Sequence, residues 1–189
     1  VPSNVHRLKI SLAGSKPPIW RRVEVSSDTT LADLHEVIQT AMGWWDCHLH
    51  AFEIDDRRYG PDADDDWGPP VLDEAKARLT TVAKEGETFL YTYDFGDGWE
   101  HKITVEQTAG PTADASYPRC LTGRRAGPPE DCGGIWGYED MLRILSDPTD
   151  AEYEERLEWL GGEFDPEAFD LDAVNEALEM FAAATSDRG

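Results

Sequence analysis

Cysteine is scarce: the 189-residue chain has three, an odd number with no compact spacing pattern. That excludes a secreted disulfide framework and points to reduced thiols inside a cell, so the expected location is the cytoplasm. Basic residues are also few. There are 17 Lys and Arg against 39 Asp and Glu, a net charge of −22. A field of that sign repels phosphates and anionic membranes. It argues against non-specific nucleic-acid binding by the surface at large. The species it attracts would be a basic protein partner or a cation, unless it serves solubility alone. No apolar run reaches membrane-spanning length. The opening Val1-Pro2-Ser3-Asn4 lacks a signal-peptide layout. No repeat recurs at solenoid periods.

What is present is a globular composition, 40% hydrophobic and 30% charged, with seven Trp. The length suits one domain with its own core. The expected extent is 1–184, with a core over 5–108, an ordered loop and helices over 117–182, and a flexible tail from 185 to 189.

The periodicity predicts α+β. His6, Leu8, Ile10 and Leu12 alternate with polar residues, as do Ile19, Arg21, Val23 and Val25. Those are two half-buried strands joined through Gly14 to Pro18. The period then becomes helical. Leu31, Leu34, Val37, Ile38, Ala41 and Met42 share a face, Thr30 with Asp33 resembles a capping box, and Gly43 stops the helix. His48 to Ile54 reads as a strand. The expected architecture is a β-grasp-like mixed sheet crossed by one helix (β-β-α-β…β-β), followed by a long ordered loop and a C-terminal helical section.

An acidic, turn-rich insertion spans Asp55 to about Pro70, and a short helix is expected over Asp73 to Leu79. Thr88 to Phe95 and Trp99 to Val105 form a hairpin. Asp97-Gly98 between them suits a two-residue type I′ turn. Tyr117 to Gly137 shows no period. Three helical patterns follow, marked by Tyr138 to Leu145, Tyr153 to Leu160 and Leu171 to Phe181.

Several groups carry candidate chemistry. Asp94-Phe95-Gly96 is not a kinase signature, since no catalytic loop or phosphate loop accompanies it. His48 and His50, two apart on a strand, share a face, and His101 lies beside Trp99. If those strands lie in one sheet, the three imidazoles converge near Asp94 and Asp97. Such donors suit zinc, manganese or iron. The alternative is that each histidine is a packed, hydrogen-bonded sheet residue. Cys120 and Cys132 supply half a tetrahedral zinc site, or are two buried thiols. Cys47 looks like core. Asp62, Asp64, Asp65 and Asp66 match a calcium loop poorly, with Gly displaced and Asp73 in the twelfth place. Arg21-Arg22, Arg57-Arg58 and Arg124-Arg125 pair with internal carboxylates such as Glu130 and Asp131, or line a pocket for phosphate or carboxylate.

Ile19-Trp20-Arg21-Arg22, Leu34-His35 through Gly43-Trp44, His48-Leu49-His50-Ala51-Phe52, Tyr93 through His101, and Gly123 through Gly134 with Gly137-Tyr138 occur in this order. Together they resemble the plasmid pRiA4b ORF-3-like family, from about Val5 to Leu178. The resemblance implies an association with plasmids and mobile elements, and a set of matched positions more than a mechanism. Some members are labelled transposon passenger resolvases, yet no recombinase motif is present. Some relatives have a Cys where this chain has Gly127. A site built on Cys120 and Cys132 would then need His48, His50, His101 or an acid to complete it.

Two functions follow. One is a non-catalytic binding or regulatory module using Arg124, Arg125, Glu130, Asp131, Asp94 and Trp99 as recognition residues. The other is a metal-dependent hydrolase of phosphate esters, with zinc or manganese and His48, His50, Asp94, Asp97 and His101 as ligands or acid–base groups.

Overall fold

The computed structural model describes residues 4–61 and 70–186. The acidic run Asp62 to Asp66 lies outside the described residues. Eight strands form one mixed sheet in the order β5-β4-β3-β6-β7-β1-β2-β8. They are β1 (Val5–Leu12), β2 (Trp20–Ser26), β3 (His50–Ile54), β4 (Arg57–Gly60), β5 (Val71–Asp73), β6 (Thr88–Tyr93), β7 (Trp99–Ala109) and β8 (Arg119–Arg124). Every neighbouring pair is antiparallel except β4 with β5 at the edge. The architecture is α+β, as the periodicity predicts.

Helix α1 (Leu31–Met42) packs on one face of this sheet. Thr30 caps it by accepting the Asp33 N–H, and Gly43, in the left-handed region, ends it. Its buried stripe holds the expected apolar residues and also His35 and Gln39. Facing it are Phe52, Tyr91, Tyr93, Trp99 and Ile103, all buried. The opposite sheet face is polar. There Trp20 lies between the Lys9 ammonium and the Arg22 guanidinium, 5.1 and 5.2 Å from its centroid.

Four local expectations are corrected. The hairpin between β6 and β7 turns through five residues, Asp94–Gly98, since Tyr93 pairs with Trp99. Asp94 and Gly98 adopt positive φ, and the Asp94 carboxylate accepts the Gly96 and Asp97 N–H groups. That side-chain cap replaces the two-residue turn. A two-residue turn with two left-handed residues does occur, at Asp55–Asp56 between β3 and β4. So part of the expected insertion is strand. Similarly, β8 occupies part of the aperiodic stretch, paired with β2. The segment after Val71 is β5, a 3-10 turn (Glu74–Lys76) and α2 (Leu79–Val82) rather than one helix.

The C-terminal section contains α3 (Gly134–Leu145), α4 (Tyr153–Leu160) and α5 (Leu171–Ser186). Thr185 and Ser186 thus belong to a helix. Asn175 ties α5 to the sheet, its side-chain amide pairing with both backbone groups of Cys120 at 2.8 and 3.0 Å. Among the described residues no helix is long and apolar enough to cross a membrane.

Candidate functional site at the loop junction

Three loops meet beside the β6–β7 hairpin: residues 44–49 between α1 and β3, residues 94–98, and residues 126–133 before α3. Polar contacts stitch them together. The Asp94 N–H donates to the Leu49 carbonyl at 2.9 Å, and the Trp44 indole N–H to the Pro128 carbonyl at 2.8 Å. The Tyr93 hydroxyl accepts the Cys47 N–H and donates to the Glu130 carboxylate, which also takes the Trp45 N–H. The Asp97 carboxylate accepts the Gly133 N–H at 3.0 Å. Two glycines permit the close approach. A Cβ at Gly134 would collide with the Asp97 carbonyl oxygen, and one at Gly127 with that of Met42. In this packing Gly127 has no room for any larger side chain.

On this frame sits an open cluster. His48 Nε2 lies 2.8 Å from Asp131 Oδ1 and 3.6 Å from Asp94 Oδ2. The His48 and Asp131 side chains are 31% and 67% exposed, so both reach solvent. Slight burial lowers the His48 pKa, but the Asp94 and Asp131 carboxylates outweigh it and hold the imidazole above its ordinary value. Asp94 is fixed by its turn: Oδ1 accepts N–H groups, and Oδ2 faces His48. The same loops, and the first turn of α3, expose large apolar side chains. Trp45 and Trp136 are each 80% exposed, and Leu49 and Phe95 are also exposed.

The expected convergence of three imidazoles does not occur. His48 precedes β3 in a bend, so the strand alternation does not govern its direction. His50, at the start of β3, is buried and stacks on His35 with ring centroids 3.5 Å apart. Its Nε2 meets Glu74 Oε2 at 2.8 Å. The His35 Nε2 meets Asp46 Oδ1 at 2.9 Å. At the other ring nitrogen, the Tyr91 hydroxyl takes the Gln39 amide N–H and gives its own proton to His35 Nδ1. Burial and the neighbouring His50 pull the His35 pKa down. His101 lies in the core beside Trp44 and Tyr91. Its Nδ1–H donates to the Tyr91 carbonyl, and burial lowers its pKa to about 4.

The remaining candidates divide between structural ties and surface. Trp99 is buried in the core. Arg125 is buried, bonded to Glu167 at 2.7 Å and to the Pro17 carbonyl, so it presents no guanidinium for recognition. Arg124 is exposed at the end of β8. Glu130 is consumed by Trp45 and Tyr93, not by arginine. Arg21 bonds main-chain carbonyls of Ala41, Trp20 and Arg124, and Arg22 pairs with Glu106. Cys120 and Cys132 join no metal-type cluster among the described residues. Burial, with Asp97 nearby, pushes the Cys132 thiol up to about 12. Cys47 is exposed rather than core. Desolvation and the carboxylates of Glu130, Asp131 and Asp46 raise its pKa, which disfavours a nucleophilic thiolate. A cleft of about 460 Å³ opens at the β4–β5 edge, lined by Ile54, Tyr59, Leu72 and Lys76 among others. Arg57 also lines it, with Asp55 and Asp73, whereas the histidine and cysteine candidates do not.

Sequence reasoning did not single out His35, Asp46 and Glu74 as partners of one network. One signal was present: a histidine inside the apolar stripe of α1 must find polar partners in the core.

Fold and junction together define an α+β protein in which one open histidine–carboxylate cluster is framed by three loops. The model of the plasmid pRiA4b ORF-3-like proteins matches residues 4–173, and the chain belongs to that family. It is 38% identical over 184 residues to the uncharacterized protein y4hQ of Sinorhizobium fredii (strain NBRC 101917 / NGR234), covering 96% of this chain and 94% of that one. It is also similar to the crystal structure of MM3350, a protein of unknown function from Methanosarcina mazei Go1. The TM-score is 0.84 at 41% identity, covering 93% of this chain and 98% of that one.

Proposed function

We propose that the chain is a binding module whose recognition surface is the loop junction, and that its partner is a basic segment of another protein. The carrying observation is the exposure of Trp45 in the 44–49 loop and of Trp136 in the first turn of α3, each 80%, beside loops that also carry Leu49, Phe95, Asp94 and Asp131. Exposed aromatic side chains grouped on one surface mark interaction sites, and indoles are common anchors. Their faces accept Lys and Arg by cation–π contact, while the carboxylates and the −22 charge steer basic chains toward them. The family's plasmid origin supports a role in mobile-element biology. The hydrolase reading has less support, because His50 and His101 are committed to buried contacts away from His48 and Asp94.

The test is a titration with a library of basic hexapeptides. The wild-type chain should select a subset, and Trp45→Ala with Trp136→Ala should weaken the best binder about 30-fold or more. Equal affinity in the double variant would contradict the surface assigned here. Arg125→Ala is unsuited to this test, since it removes a buried structural tie.

A further inference from the structure

We propose that His48, Asp94 and Asp131 bind one divalent first-row cation, zinc foremost, with one coordination position left open. The three ligand atoms lie within 4.8 Å of one another. In a tetrahedral zinc site, ligands at about 2.0–2.2 Å stand about 3.4 Å apart. The pairs at 2.8 and 3.6 Å bracket that spacing. The exposed Asp131 carboxylate is the ligand with room to adjust around an ion.

Two features separate this cluster from a solvated acidic patch. One imidazole nitrogen is combined with two carboxylates, a donor set suited to zinc, manganese or iron. And the Asp94 carboxylate is oriented before any ion arrives, because Gly96 and Asp97 donate to Oδ1 and leave Oδ2 on His48. Outer hydrogen bonds of that kind aim metal ligands. The buried alternative, His35 with Asp46 and His50, lacks this freedom. Both ring nitrogens of His35 are already bonded, and Glu74 holds His50 Nε2.

Three protein ligands leave a fourth position for water or an incoming donor. The ion would then anchor a partner side chain such as His or a carboxylate; that role rests on the recognition reading above, whereas metal binding itself does not.

The test uses the full chain, expressed without a His-tag, stripped with chelator and titrated with Co²⁺, then with Zn²⁺ in competition. One equivalent of Co²⁺ should bind with visible absorption and be displaced by Zn²⁺. Asp94→Asn keeps an oxygen to accept the turn N–H groups but removes the ligand, and should abolish the spectrum. His48→Ala and Asp131→Asn, on loop residues open to solvent, should weaken binding by about 100-fold or more, since even outer partners cost 10–100-fold. Cys120→Ser and Cys132→Ser should bind as wild type does. Wild-type uptake no tighter than that of His48→Ala and Asp131→Asn would overturn the proposal. So would loss of binding only in the cysteine variants. Peptide selection without metal binding would remove the ion and leave the recognition surface. Metal binding without peptide selection would do the reverse.

Discussion

Two histidines two residues apart, His48 and His50, meet opposite fates. His50 is buried, stacked on His35 and held by Glu74. His48 stands half-open between Asp94 and Asp131. Both have an imidazole beside carboxylate. The difference is what else each carboxylate and ring must do. In the buried group nearly every lone pair and proton is assigned, which makes a rigid, specifying core contact. In the open cluster Asp131 is exposed and the Asp94 oxygen at 3.6 Å is too far for a hydrogen bond, so capacity remains. Chemistry of the same residue types is thus structural in one place and available in the other.

The largest way to sharpen that contrast is Glu74→Ala. It leaves His50 buried without its partner and should cost about 3–5 kcal/mol. A urea midpoint well below wild type, with Co²⁺ uptake of the remaining folded protein unchanged, is expected. Acid comes next. Burial lowers the His101 pKa from the ordinary 6.5 to about 4, so the unfolded chain binds more protons between those values. Its contribution is fully present above pH 6.5 and is lost as pH falls toward 4, on the order of 3 kcal/mol. His35, lowered by burial, adds with the same sign. Denaturation curves for wild type and His101→Leu should show a shallower acid slope in the variant.

Gly134→Ala follows, at about 2 kcal/mol. Its φ of +67° is unfavourable for Ala, and its Cβ meets the Asp97 carbonyl. The expected result is a lower melting temperature and weaker peptide and metal binding together, because the junction opens. The smallest effect is that of His48→Ala on stability. A partly exposed loop residue should change the unfolding free energy from urea curves by no more than about 0.5 kcal/mol, whatever it does to binding.

Much of the frame was legible because it is local. The α1 stripe, the Thr30 cap, the Gly43 stop and the alternation of Tyr91 with Tyr93 and of Trp99 with His101 follow from period and capping alone. The elements missed depend on distant partners. Strand β8 has no alternation of its own and exists because β2 offers it an edge. Strand β4 is announced only by Asp55 and Asp56, whose left-handed conformations are uncommon for residues other than glycine. The meeting of three segments was legible, since the Tyr93–His101 hairpin, the segment from His48 and the loop before Gly134 do come together. Which side chains become neighbours there was not. Extending strand alternation back to His48 put the wrong histidines together, and Asp131 gained its role only through the contact with His48.

The contrast between the closed and the open histidines is tested most directly by ring-nitrogen NMR of the five histidines during a Zn²⁺ titration. The account predicts that the His48 Nε2 resonance moves to a metal-bound position at one equivalent while His35, His50 and His101 stay unchanged. Movement of the His35 or His50 nitrogens, with His48 unmoved, would contradict it.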